Sequence, residues 1–318
     1  MTQGILVSIV IVNYNGRHLL ETCLDSVLTQ TYQNKEVFLV DNGSTDGSVE
    51  FLKEHYPQAQ LMVNDRNLGF SSAVNQGIQA SKGEFVAVLN NDTKVAPSWI
   101  GSLVTVIQEN PRIGSCASKQ LDFYRPDVID SAGILLARGG YAFGRGHGEQ
   151  DRGQFDAVVE VFGAAGASAF YRRRMLEEIG LFDDDYFAYN EEFDLSLRAQ
   201  LYGWKCLYAP SAVIYHMGGE SRAKHDQKFL IYYMECNRLL TIIKNYPAAM
   251  FFYFLPYLLK YELDIFYRLL LRFEIQPIVA RVDVLRMLPR MLKKRTKIQR
   301  ERSISDQEFK KLVEGRRQ

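Results

Sequence analysis

Cysteine is scarce in this 318-residue chain: Cys23, Cys116, Cys206 and Cys236 lie far apart, with no CxxC and no neighbouring histidine set. That spacing supports neither a disulfide framework nor a structural zinc site, and it suits a reducing compartment. Long apolar runs are also missing. The longest, AAMFFYFLPYLL from Ala248 to Leu259, falls short of the roughly 20 residues that span a bilayer and is interrupted by Pro256, so no transmembrane helix is expected. The N-terminus has no basic leader, and its apolar run contains Ser8 and ends at Asn13, which reads as a buried strand and not as a signal peptide. No GxGxxG follows that strand and no GxxxxGK[ST] occurs, so hydride transfer and ATP hydrolysis lack their usual phosphate cradles. Disorder is excluded by composition, with 47% hydrophobic and 24% charged residues.

Net charge is also nearly absent, at +1, but the balance is uneven. Residues 281 to 302 carry nine basic and two acidic groups, which makes a mildly acidic body with a basic tail. Just before that tail, Leu258, Leu259, Leu263, Phe266, Tyr267, Leu270 and Leu271 recur at helical spacing among Lys260, Glu262, Asp264 and Arg268. Two readings of this amphipathic helix stand: packing on the main core, or lying in a membrane interface with the basic tail drawn to anionic lipid.

The first 120 residues alternate strand-like and helix-like segments. Strands are expected at Ile5 to Val12, Lys35 to Val40, Gln60 to Val63 and Glu84 to Leu89, with helices between them, including Ser44 to Glu54 and Phe70 to Ala80. Near-continuous β-branched runs and helical crossovers imply a doubly wound parallel sheet. Ligands bind such sheets at the strands' carboxyl ends, where Asn13, Asn15, Asp41, Asn67, Asn91 and Asp92 collect. Beyond residue 120 the alternation breaks down. A glycine-rich stretch from Gly133 to Gly148 reads as a mobile loop or a small antiparallel addition. A helix is expected over Tyr189 to Tyr202, and a helical tail from near Asp226.

Several residues have both a chemical and a plainer reading. Asp41, in VDNGSTDGS, can accept from a base imide or from ribose hydroxyls, or can cap the next helix. Asp92, after Asn90 and Asn91, can bind a hard divalent cation or simply close a turn. Asp194 and Arg198 can pair at i,i+4. Arg172, Arg173 and Arg174 could contact phosphate or form a solvated cluster. Trp99 and Trp204 read as core or as an acceptor platform.

The combination is more specific than its parts. NYN, VDNGSTDGS, NxGF at Asn67 to Phe70 and LNND at Leu89 to Asp92, in that order, resemble the nucleotide-sugar-binding half of family 2 glycosyltransferases with the GT-A fold. GAAGASAFYRRRMLEEIGLFDDDYFAYNEEFDLSLRAQLYGW and then HMGGES resemble the acceptor half of the bacterial rhamnosyltransferase-like branch. The match covers roughly residues 5 to 245. It implies a Rossmann-like, mostly parallel sheet flanked by helices. Residues 1–120 would form the donor half, 121–225 the acceptor half and 226–318 an amphipathic, basic helical extension that associates with membrane.

By the same resemblance Asp41 contacts the base, Asn13, Asn15, Asn67 and Asn91 line the nucleotide-sugar pocket, and Asp92 belongs to a DxD-like motif in which Asn90 replaces the first Asp. Asp92 and His216 would hold Mg²⁺ or Mn²⁺, the latter within an HxxGxS-like element with Gly219 and Ser221. Glu191 and Glu192 match an acidic pair whose second member, here Glu and not Asp, is the general base.

The function so implied is metal-dependent, inverting transfer of a sugar from a nucleoside diphosphate to a saccharide acceptor, lipid-linked, in cell-surface polysaccharide biosynthesis. The donor would be a dTDP-sugar such as dTDP-rhamnose, or a UDP-sugar. The expected location is cytoplasmic, peripheral on the inner face of the cell membrane, with a homodimer as a further option. Two rivals make different demands. A nucleotidyltransferase needs a basic pyrophosphate loop near the N-terminus, where Arg17 and His18 stand alone. A non-catalytic membrane- or nucleic-acid-binding protein would use Arg286 to Arg302, which lacks interleaved aromatics, so no nucleic-acid partner is expected.

Overall fold

The computed structural model describes residues 4–218, 226–272 and 274–314. One sheet organises the body. In chain order its first strands and helices are β1 (Val7–Asn13), α1 (Arg17–Leu28), β2 (Lys35–Asp41), α2 (Ser48–His55), β3 (Gln60–Val63), α3 (Phe70–Ala80) and β4 (Phe85–Asn90). Strands β3, β2, β1 and β4 are parallel neighbours, as the helical crossovers require. Val10, Val86 and Val88 face one apolar layer, while Ile9, Ile11, Ala87 and Leu89 face the other. Burial on both faces is why these strands read as continuous apolar runs. The first strand expectation was two residues early, and α2 starts at Ser48, because Asp41 to Gly47 form a turn.

The second half is mixed. It adds β5 (Thr93–Val95), α4 (Trp99–Gln108), β6 (Ile113–Asp122), β7 (Ile129–Ser131), β8 (Ile134–Leu136), β9 (Ala142–Gly144), β10 (Val159–Val161), β11 (Ser168–Arg172), α5 (Arg173–Ile179), α6 (Glu191–Leu201) and β12 (Lys205–His216). Strand β11 runs antiparallel between β4 and β6, which joins the two halves into one sheet in the order β10-β12-β6-β11-β4-β1-β2-β3. Of the two readings of the glycine-rich stretch, the small antiparallel addition is correct, since β8 and β9 form a hairpin.

Among the described residues four further helices follow: α7 (Gln227–Asn245), α8 (Ala248–Arg272), α9 (Gln276–Glu301) and α10 (Asp306–Glu314). Asp226 caps α7 by accepting from the Lys228 amide at 3.2 Å. Helix α8 continues through Pro256. Leu258 is buried, but Leu259, Leu263, Phe266, Tyr267 and Leu271 are exposed, and Ile275, Ile278, Val282 and Leu285 extend the exposed apolar face along the start of α9. Packing on the core does not account for that face. Among the described residues no helix is long and apolar enough to cross a membrane.

Candidate functional site

The carboxyl ends of β1, β2 and β4 are tied together by short polar side chains. Asn13, fully buried, donates through Nδ2 to Asp41 Oδ2 at 2.8 Å and accepts through Oδ1 from Asn91 Nδ2 at 2.7 Å. Asp41 Oδ1 accepts from the Ser44 amide at 2.9 Å, so both carboxylate oxygens already hold this corner. Asn15, at φ 49°, accepts from the Thr45 amide at 2.8 Å. The Asn67 amide oxygen accepts from Asn42 Nδ2 and from the Gly69 amide, both at 2.9 Å. The predicted pocket residues do converge, and the structure adds that Asp41 and Asn67 also build the turns that form its wall.

A second group forms where β5 pairs with β12. That pairing sets His216 opposite Thr93, and so beside Asp92. His216 Nε2 lies 3.5 Å from Asp92 Oδ1, while Nδ1 is 2.8 Å from Asp130 Oδ2 on β7. Burial would lower the imidazole pKa, but hydrogen bonding and charge from Asp130 and Asp92 outweigh it and raise it to about 10. Asp92 is 1% exposed, and its Oδ1 faces the imidazole as an ion-pair partner. Asp92 and an imidazole oriented from behind by a second carboxylate are two groups of the kind that ligate divalent cations, but among the described residues no group of three or more His, Cys, Asp or Glu is arranged to hold one, and the raised imidazole would have to lose its proton to ligate. Sequence reasoning missed Asp130, which only the β6–β7 pairing brings near. Gly219 and Ser221 lie outside the described residues.

The acidic pair opens α6. Tyr189 and Asn190 precede it with φ of 66° and 65°, both in the left-handed region that is costly for non-glycine residues. Glu191 is buried with Oε2 unpaired, and burial together with the Glu192 charge pushes its carboxyl well above the ordinary range. Glu192, partly exposed, is also raised by burial. A Cβ placed on Gly166 would sit 3.5 Å from Glu192 Cδ, and neighbouring Ala167 accepts from the Asn90 amide at 3.0 Å, so the pair borders the end of β4. The turn also reaches the start of α3. Phe70 donates its amide to Phe187 O at 2.6 Å, and Gly69, at φ 86°, is required because a Cβ there would meet that oxygen.

Helix α7 holds the turn from behind. Asn237 Nδ2 donates to the carbonyls of Ala188 at 2.9 Å and Tyr189 at 2.7 Å, and Asn190 Nδ2 donates to Met234 O at 3.0 Å. Buried Lys244 pairs with Asp183 at 2.5 Å and with Asp194 at 2.8 Å. The expected Asp194–Arg198 pair forms at 2.9 Å. Burial would raise the Asp194 carboxyl, but the charges of Lys244 and Arg198 hold it low. Neither reading of the arginine cluster applies to its first two members. Arg172 donates to the carbonyls of Ile113 and Ile107, and Arg173 to those of Gly83 and Ile78. Trp99 and Trp204 are core residues, at 0% and 2% exposure.

The acidic pair lies beside the polar strand ends of this α/β sheet, and similarity to known proteins identifies the fold as that of GT-A glycosyltransferases. The model of glycosyl transferase family 2 matches residues 8–180, and the chain belongs to that family, in its rhamnosyltransferase-like branch. It is 31% identical over 248 residues to an N-acetylglucosaminyl-diphospho-decaprenol L-rhamnosyltransferase of Mycobacterium tuberculosis (strain CDC 1551 / Oshkosh), which covers 70% of this chain and 79% of that protein. Two solved structures share the fold. GalNAc-T7 with UDP, GalNAc and Mn²⁺ superposes with a TM-score of 0.61 at 18% identity, over 76% of this chain and 48% of that one. Mannosyltransferase PcManGT from Pyrobaculum calidifontis with GDP-Man and Mn²⁺ gives 0.55 at 19% identity, over 97% and 79%.

Proposed function

We infer that this glycosyltransferase moves a sugar, rhamnose in the leading reading, from a dTDP- or UDP-sugar to a saccharide on a lipid-linked acceptor, with inversion at the anomeric carbon, in cell-surface polysaccharide biosynthesis. The observation that carries this reading is the placement of Glu192. A carboxylate with a raised pKa stands at the start of α6, beside the end of β4. Glu192 takes the proton of the acceptor hydroxyl while that oxygen attacks and the nucleoside diphosphate leaves, and a single displacement inverts the centre. Glu191 supports the pair from its buried position.

The nucleotide would lie against Asn13, Asn15, Asp41, Asn67 and Asn91. Asp92 and His216 would hold Mg²⁺ or Mn²⁺, with Asp130 orienting the imidazole, and the cation would neutralise charge on the leaving diphosphate. The exposed apolar face of α8 and α9, flanked by exposed Arg286, Arg290 and Lys293, supports peripheral docking on anionic lipid at the inner face of the cell membrane. A second copy covering the same face is the alternative occupant.

Calorimetric titration with UDP, dTDP and GDP, each with and without Mn²⁺ or Mg²⁺, tests the donor site. Metal-enhanced binding of one diphosphate, lost in Asp92→Ala, is expected. Equal binding by the wild type and Asp92→Ala removes Asp92 from the site.

A further inference from the structure

Two cavities adjoin behind the acidic turn. The first, about 310 Å³, lies between β9, α7 and α8, and its wall includes Asn190, the residue immediately before Glu191. The second, about 320 Å³, opens between α8 and α9 and is walled by Leu259, Leu263, Phe266 and Ile278. Ile265 borders both. An ion network stands between them: Arg238 pairs with Glu262, and Arg281 donates to Glu262 at 2.6 Å and to Glu235 at 3.0 Å.

The two differ in chemistry. The first presents the rings of Tyr141 and Tyr261, and its charges balance, with Arg238 and Arg268 against Glu235 and Asp264. A neutral, hydrogen-bonding cavity with aromatic walls suits a polyhydroxyl ligand, whereas a polyanion would face two carboxylates. Arg238 is 2% exposed and its Nε makes no hydrogen bond, which leaves a buried donor without an acceptor oxygen. The second cavity is walled mainly by aliphatic and aromatic side chains, so it suits a hydrocarbon chain.

We propose that the two cavities form one acceptor site, with the acceptor's saccharide in the first and the start of its hydrocarbon chain in the second. This rests on the transfer reaction above and adds where its acceptor binds. Asn190, two residues before Glu192, lies in the wall of the first cavity, so the sugar would bind against the turn that carries the base. The hydroxyl proton passes to Glu192, its oxygen bonds the anomeric carbon, and the bond from that carbon to the diphosphate oxygen breaks, with the electron pair leaving on the diphosphate. The chain runs toward the exposed apolar face, so a membrane-borne acceptor reaches the base without leaving the lipid surface.

Steady-state kinetics in vesicle-free buffer test this, using dTDP-rhamnose and UDP-sugars as donors. The probes are two uncharged N-acetylglucosaminides, one of a short water-soluble isoprenol and the other of methanol. Asp264 and Arg268 are exposed and enter no ion pair among the described residues, so Asp264→Asn with Arg268→Gln should fold. That double variant is expected to raise the KM of both acceptors about tenfold, while the donor KM moves less than about twofold. Phe266→Asp, at a position 55% exposed, is expected to erase the isoprenoid's advantage over the methyl glycoside. Unchanged acceptor KM in the double variant overturns the sugar cavity, and a retained isoprenoid advantage in Phe266→Asp overturns the chain cavity. A wild type that binds a nucleoside diphosphate but turns over neither probe overturns the acceptor class. One that neither binds nor turns over fails the proposed function itself.

Discussion

Asn237 is the residue through which the helical extension should control catalysis. It is 1% exposed on α7, and its side-chain amide donates to the carbonyls of Ala188 and Tyr189. Each neutral buried hydrogen bond contributes about 1 kcal/mol, and a carbonyl left without a donor costs about 1–3 kcal/mol, so Asn237→Ala should weaken this corner by about 2–4 kcal/mol. The turn it holds is strained, since Tyr189 and Asn190 in the left-handed region store about 1–3 kcal/mol each. The restraint and the strain are of similar size. Removing Asn237 should therefore let the turn relax in most molecules and carry Glu192 away from the acceptor. Thermal melting should show a folded protein with Tm lowered by about 3–6 °C, the shift that this loss gives a chain of this length. At saturating substrates kcat should fall about ten- to hundredfold, because each 1.4 kcal/mol is a factor of about ten. Adding Tyr189→Gly removes the left-handed cost and should restore part of kcat without restoring Tm. Wild-type kcat in a folded Asn237→Ala protein with lowered Tm would refute the reasoning and leave α7 as a stabilising element only.

Two other outcomes follow from the site and the surface. Glu192→Gln should lower kcat by about 10²–10⁴, the usual worth of a positioned base. The wild type should lose kcat/KM as pH falls through the raised Glu192 value, since the base works only when ionised. That acid limb should therefore lie above the ordinary glutamate range, and a limb at the ordinary value would remove burial from the account. Arg286→Glu with Lys293→Glu reverses two exposed charges on α9, each worth about 1 kcal/mol at an anionic surface, so co-sedimentation with anionic vesicles should drop by about thirtyfold or more. Equal binding of the wild type to neutral and anionic vesicles would exclude an electrostatic contribution.

The parallel half of the sheet and the polar strand ends were legible in the sequence because they are local. An apolar β-branched run that stops at an asparagine or aspartate states both the strand and its polar end, as at Val7–Asn13 and Phe85–Asn90. The Asp194–Arg198 pair was legible for the same reason, being one helical turn apart. Arg172 and Arg173 were misread because a charged triplet looks solvated until β11 and its neighbours place carbonyls around it.

What tertiary structure alone decided is everything that depends on long-range register. Asp130 reaches His216 only because β7 and β12 both flank β6, and Asn237 reaches the acidic turn only because α7 packs behind α6. Helical periodicity can mark an apolar stripe on α8 but not the side on which the rest of the chain falls, so the exposure of Leu263 and Phe266 was decided by packing. Strand identity, the polar strand ends and the acidic pair are properties of short segments. The orientation of the base, the carboxylate behind the imidazole and the two adjoining cavities exist only where distant segments meet.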